Sequence, residues 1–136
     1  MSRLSLLLLA LLPVAASAAS PGKACDNART QLEINDCAAQ QASAADTELN
    51  AVYRQVMQQL QGQPVAIEKL RAAQRLWIPL RDADIEARYP VGKDENPRVL
   101  YGSMYPMLYS AAKADLTRQR TQWLRATFID RAEGDL

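Results

Sequence analysis

The sequence has no histidine and only two cysteines. The first absence removes the commonest general base and the commonest zinc ligand. Together the two exclude a tetrahedral structural zinc site and leave no partner to activate a nucleophilic thiol. Strand-like alternation of apolar and polar residues is also missing, so nothing supports a sheet. Neither sign of charge dominates, with 16 Lys and Arg against 15 Asp and Glu. That balance gives no electrostatic case for nucleic acid or an anionic membrane as a partner.

Long apolar runs are confined to the start of the chain. Arg3 precedes an almost unbroken run from Leu4 to Leu12, closed by Pro13 and Val14, and Ala16-Ser17-Ala18 fits the small-x-small cleavage pattern. The core is shorter than the ~20 residues of a spanning helix. Residues 1–18 are therefore expected to be a signal peptide, and 19–136 one small domain of the periplasm or the secreted fraction. Cleavage removes Arg3 and brings the charge to balance. Cys25 lies near the cut, but Gly22 and Lys23 do not make a lipobox. No other segment is apolar enough to span a membrane.

Export puts Cys25 and Cys37 in an oxidising compartment, where paired thiols usually form a disulfide. On one straight helix they would lie about 18 Å apart, so pairing requires a turn between them. Thr30 followed by Glu33 is a capping-box pattern that supplies it. Cys25 then folds back against Cys37 on the second helical turn. The alternative, a redox or nucleophilic thiol, finds neither a C-x-x-C motif nor a histidine.

Helical periodicity organises the rest. Leu49, Val52, Tyr53, Val56, Met57 and Leu60 make a buried stripe on a helix expected from Thr30 to about Gln61. Its alanine-rich half, Cys37 to Ala45, has strong helix propensity but little to bury, and a bend is expected near Ser43. Gly62 ends the helix, and Pro64 suits the first turn of the next. That second helix is expected to reach Arg88, with Ile67, Leu70, Trp77 and Leu80 or Ile85 inward and a kink near Gln74–Arg81 from Pro79. Residues 90–103 read as a loop. A third helix begins at 103–106 and runs to about Arg131, with Leu108, Ala112, Leu116, Trp123 and Thr127 on one side. The expected fold is all-α: an antiparallel three-helix bundle with a short N-terminal lead-in tied by a disulfide.

Polar residues recur beside these stripes. Gln31 and Asn35 are one turn apart, Gln74, Trp77 and Arg81 share a face, and Thr117, Arg120 and Thr121 follow on the third helix. Buried charge needs a partner, so Arg81 or Arg120 should pair with Glu33, Asp46, Asp82 or Asp84 in a structural polar network. Read as a hydrolase site, the carboxylates lack any arrangement beyond ordinary helical spacing. Tyr101, Ser103, Met104, Tyr105 and Tyr109 cluster where the loop meets the third helix, which fits either a protein interface or a loop packed on the bundle end. Trp77 and Trp123 are expected in the core. No catalytic residue, metal or cofactor is expected.

Four runs resemble the LprI-type lysozyme inhibitor domain. They are Thr30-Gln31-Leu32-Glu33-Ile34-Asn35-Asp36-Cys37, with Ala45-Asp46 and Leu49-Asn50-Ala51-Val52-Tyr53; Ala73-Gln74-Arg75-Leu76-Trp77-Ile78, with Arg81-Asp82-Ala83; Gly102-Ser103-Met104-Tyr105-Pro106; and Leu116-Thr117-Arg118-Gln119-Arg120-Thr121. The resemblance implies a secreted or periplasmic bacterial helical domain, some of whose relatives bind and inhibit lysozyme. Such domains often carry two further cysteines, near Asp84 or Ile85 and near Ala111 or Ala112. Both are absent, as loss of one bridge would require, and Cys25–Cys37 is left as the remaining pair. No catalytic residues are implied.

The expected function is inhibition of lysozyme or a related peptidoglycan hydrolase, with residues 94–105 occluding the cleft. Candidate contacts are Asp94, Glu95, Arg98, Tyr101, Ser103, Met104 and Tyr105. The alternatives are an envelope adaptor without a hydrolase target, and a small-molecule binder with an apolar cavity near Gln74, Trp77 and Arg81.

Overall fold

The computed structural model describes residues 25–130. The expected signal peptide and cleavage site lie outside them. The regular structure among the described residues is helical: α1 (Gln31–Gln59), α2 (Pro64–Arg88), a short α3 (Pro97–Tyr101) and α4 (Tyr105–Leu124). A 3₁₀ turn, Gly102–Met104, joins α3 to α4, and a π turn, Arg125–Ile129, follows α4.

The start of α1 is built as its sequence specifies. Thr30 is extended at the N-cap and its Oγ1 accepts from Glu33 N at 3.3 Å. The Glu33 carboxylate accepts in return from Arg29 N at 2.8 Å and Thr30 N at 2.9 Å. Those backbone donors, Arg29 first, hold its pKa below the ordinary carboxylate value. The lead-in turns back through Ala28 N to Cys25 O, and Cys25 joins Cys37 in a disulfide with Cα atoms 5.8 Å apart, well inside the usual range. Gln41 bridges this corner to α4: its Nε2 donates to Cys25 Sγ at 2.9 Å, while its Oε1 accepts from Arg118 at 3.4 Å.

Consecutive long helices run antiparallel, so α1 and α4 are parallel to each other. They form the main interface of the fold. Ala38, Ala42 and Ala45 are buried on α1, and Ala42 and Ala45 cluster with Ala114 of α4. The alanine-rich half of α1 therefore does bury a face. Its small side chains let two backbones come close. Lower down, Leu49, Val52, Val56 and Leu60 meet Leu70 of α2 and Leu124 of α4 in the apolar core, flanked by Tyr53, Met57, Ile67, Trp77 and Phe128.

Helix α4 differs from the sequence expectation. Its most buried positions are Ala112, Ala114, Thr117, Thr121 and Leu124, whereas Leu108 and Leu116 are half-buried and Trp123 is 45% exposed. The physical reason is its position between α1 and α2. A helix packed on two sides divides its apolar residues between two seams, so no single stripe reports its core. Thr121 resolves its hydroxyl by donating to Thr117 O at 3.0 Å. Trp123 leaves the core to lie edge-on to Phe128, 5.7 Å between centroids.

Helix α2 runs unbroken through Pro79 and buries only Leu70, Arg81 and Ile85. Leu80, one of the two candidates for its inner face, points outward and is 57% exposed. Polar contacts hold the middle of α2. Arg81 donates to Asp46 Oδ1 of α1 at 3.1 Å, to Asp82 Oδ1 at 2.9 Å and to Thr117 Oγ1 of α4 at 3.4 Å. Lys113 reaches the other oxygen of Asp46 at 3.3 Å. One buried guanidinium thus touches all three long helices.

Three substitutions test this arrangement. Replacing both cysteines by serine should cost about 2–3 kcal/mol, the loop-entropy value for a short closed loop, as read by urea unfolding against the oxidised protein. Asp46→Ala leaves Arg81 with one carboxylate. Because Asp46 is partly exposed, the expected loss is about 1–2 kcal/mol, below that for breaking a fully buried pair. Asp84→Ala, on the exposed face, should change stability by less than about 0.5 kcal/mol.

Candidate partner-binding site

The residues expected in one polar network form three hydrogen-bonded groups, the first two both touching Trp77. Asp46 and Arg81 belong to the clamp just described. Gln74 and Arg120 form a second: Arg120 Nε donates to Gln74 Oε1 at 3.1 Å. The Arg120 guanidinium lies 4.4 Å from the Trp123 ring centre and 5.7 Å from that of Trp77. Its buried Nη2 has no hydrogen-bond partner. Burial lowers its pKa, and the indole faces supply attraction that a carboxylate would otherwise supply. Arg81 also lies near this indole, 5.2 Å from the centre of the Trp77 ring. Two guanidinium groups thus lie against the one indole ring of Trp77.

The third cluster lies at the far end of the bundle. Gln31 Nε2 donates to Asn35 Oδ1 at 2.9 Å, and Asn35 Nδ2 donates to Ser103 O at 3.0 Å. These bonds tie the start of α1 to the turn before α4. Glu33 stands apart from all three clusters, at the N-cap of α1.

The segment 90–103 is not an irregular loop. Asn96 caps α3, its Oδ1 accepting from Arg98 N at 2.9 Å, and Pro97 occupies the first turn. An Asn-Pro pair is the ordinary signature of a helix start, and was the available signal for it. Before α3, Glu95 closes a turn on Gly92: its backbone N donates to Gly92 O at 3.0 Å and its carboxylate accepts from Gly92 N at 2.6 Å. After α3, Gly102 takes φ 66°, ψ −159°, a backbone conformation essentially reserved for glycine, and the chain turns into α4.

A ladder of tyrosines secures this end. Tyr101 meets Tyr89 edge-on at 6.0 Å, stacks on Tyr105 at 5.5 Å and donates its hydroxyl to Pro90 O at 2.9 Å. Tyr105 continues to Tyr109 at 6.2 Å. Burial, then the charges of Asp82 and Glu86, raises the Tyr109 pKa, so that phenol stays neutral. Tyr101 and Tyr105 are half-buried by these contacts, and Ser103 is used through its backbone oxygen.

The groups left facing outward are different. Val99 is 80% exposed, while Leu100 and Met104 are each 46% exposed. Asp94 and Arg98 are exposed beside them. Val99 and Leu100 were not among the candidates, although an apolar pair inside an otherwise charged segment was a visible signal. The result is a capped, ladder-braced helical tip that presents aliphatic side chains with Lys93, Asp94, Glu95 and Arg98 exposed around it. Among the described residues no group of histidine, cysteine, aspartate or glutamate is arranged to hold a metal ion, and no helix is long and apolar enough to cross a membrane.

Residues 23–124 match the family described as Lysozyme inhibitor LprI, a span that includes all four helices. An uncharacterized protein of Rhizobium meliloti (strain 1021) is 39% identical over 133 residues, covering 90% of this chain and 89% of its own. No solved structure matches. With its bundle, its disulfide corner and its tip all inside the matched span, the chain belongs to the LprI lysozyme inhibitor family.

Proposed function

We propose that this protein acts outside the cytoplasm as an inhibitor of a lysozyme or related peptidoglycan hydrolase, and that α3 enters and occludes the enzyme's cleft. Family membership supports the inhibitor reading. The observation that carries the cleft reading is the outward set Val99, Leu100 and Met104 on a segment braced by the tyrosine ladder. Such a tip orders few groups on binding, so little of its contact energy is lost to entropy. Arg98 is poised to meet catalytic carboxylates, and Asp94 to steer onto the rim of a cationic enzyme. Glu95 contributes through the turn it closes with Gly92. Residues 1–18 export the chain, with cleavage after Ala18.

Two assays test this reading. Titration against several lysozyme types in a cell-wall lysis assay should show inhibition, and a Val99→Asp/Leu100→Asp variant should weaken it by at least about tenfold with unchanged thermal unfolding. No inhibition of any type at micromolar excess would sink the proposal; full inhibition by the double variant would move the contact away from α3. The mass of protein recovered from outside the cytoplasm should correspond to a chain beginning at Ala19, and retention of residues 1–18 would overturn the export reading.

A further inference from the structure

The two sulfurs of the Cys25–Cys37 disulfide have different surroundings. Cys25 Sγ accepts a hydrogen bond from Gln41 Nε2 at 2.9 Å. The orientation of that amide is fixed from behind. Arg118 can only donate, so the Gln41 oxygen faces it, at 3.4 Å, and the amide nitrogen is left to face the sulfur. Among the described residues no such donor reaches Cys37 Sγ. Cys37 instead lines an opening of about 360 Å³, whose other walls are Asn27, Ala28, Glu33, Asp36 and Gln40. Cys25 is not one of its walls, and the walls carry two carboxylates and no cation. Backbone donors hold the Glu33 carboxyl below its ordinary pKa, so it is ionised at neutral pH.

Thiol–disulfide exchange requires a thiolate to reach one sulfur and the other sulfur to leave with the electron pair of the broken bond. Its direction is set by access to the attacked sulfur and by the stability of the leaving thiolate. An N–H donor on a sulfur stabilises that sulfur more as a thiolate than as half of a disulfide. Both factors select one direction here. The opening is at Cys37, and the donor is on Cys25.

We propose that Cys37 is a thiol-exchange site: a small thiol of neutral or positive charge enters the opening, attacks Cys37 Sγ and expels Cys25 toward Gln41. The incoming thiolate forms an S–S bond with Cys37 as the Cys25–Cys37 bond breaks. Cys25 Sγ departs with that electron pair and takes up the proton that the incoming thiol released. A monothiol stops there, as a mixed disulfide on Cys37. A dithiol goes on: its second thiolate attacks its own sulfur bound to Cys37, Cys37 leaves as a thiolate, and the dithiol ends as a disulfide with both cysteines reduced. Either product unties the lead-in from α1, while the capping box of Thr30 and Glu33 still starts the helix. The site uses no residue of α3 and stands independently of the inhibitor reading.

Oxidised protein expressed from the full sequence tests this with cysteamine and mercaptoethanesulfonate, two small thiols of opposite charge. Free thiolate is trapped with N-ethylmaleimide, and Arg29 lets trypsin put the two cysteines on separate peptides for mass mapping. The added thiol should lie on Cys37 and the maleimide on Cys25, in at least about fivefold excess over the reverse, with a rate proportional to thiol concentration. Dividing each rate by that of the same thiol with neutral hydroxyethyl disulfide removes intrinsic reactivity. On that scale cysteamine should be faster by at least about threefold at low salt, and Asp36→Asn should narrow the gap. Gln41→Leu removes the donor and should lower the preference for Cys37 by at least about threefold, a ratio that general loosening of the fold would not shift toward Cys25. An adduct mainly on Cys25 overturns the proposal, as does a rate independent of thiol concentration, the mark of exchange limited by unfolding. Equal scaled rates, or a gap unmoved by Asp36→Asn, overturn the charge selection, and an unchanged ratio in Gln41→Leu overturns the role of the donor.

Discussion

Along the first half of α1, small side chains line its contact with α4. Ala42, Ala45 and Ala114 meet there, and Ala38 is buried on the same helix. Much of the remaining architecture follows from this close contact. Because α1 and α4 are parallel, the chain must return the whole length of the bundle between them, and α2 is that return. The alanine seam admits no third helix, so α2 lies against the outside of the pair. It is held by Leu70 and Ile85 at its ends and by Arg81 in the middle.

That position explains two features that would otherwise look like faults. A guanidinium is buried because polar groups of α1 and α4, Asp46 and Thr117, are what α2 meets at its midpoint. A buried charge is tolerated where hydrogen bonds and a carboxylate surround it. The outer face of α2, by contrast, has no layer above it. Its exposed leucines are left over from a helix that the bundle covers on one side only.

The far end of the molecule has a different logic. Nothing there depends on a deep core. Asn96 and Gly102 bound α3, Glu95 closes the turn before it, and the tyrosine ladder with the Asn35–Ser103 bond fixes it to the bundle. With Glu95, Asn96 and Tyr101 committed to that bracing, the segment presents Val99, Leu100 and Met104 outward beside the exposed Asp94 and Arg98.

Much of this was readable in the residues. Thr30 and Glu33 announce the start of α1, Gly62 and Pro64 the turn into α2, and the spacing from Leu49 to Leu60 the core face, because caps, turns and single stripes are local. The two cysteines could pair only across a chain reversal, and the reversal was signalled between them. What the sequence could not state was which surfaces would meet. Alanines carry no stripe, so the α1–α4 seam was invisible until the helices were side by side. Two-sided packing hid the core of α4 and turned Trp123 outward. The polar residues read as one network divided into three because each follows its own helix end or crossing. Local chemistry determined where helices begin and stop; burial is a property of neighbours, and only the tertiary structure decided those.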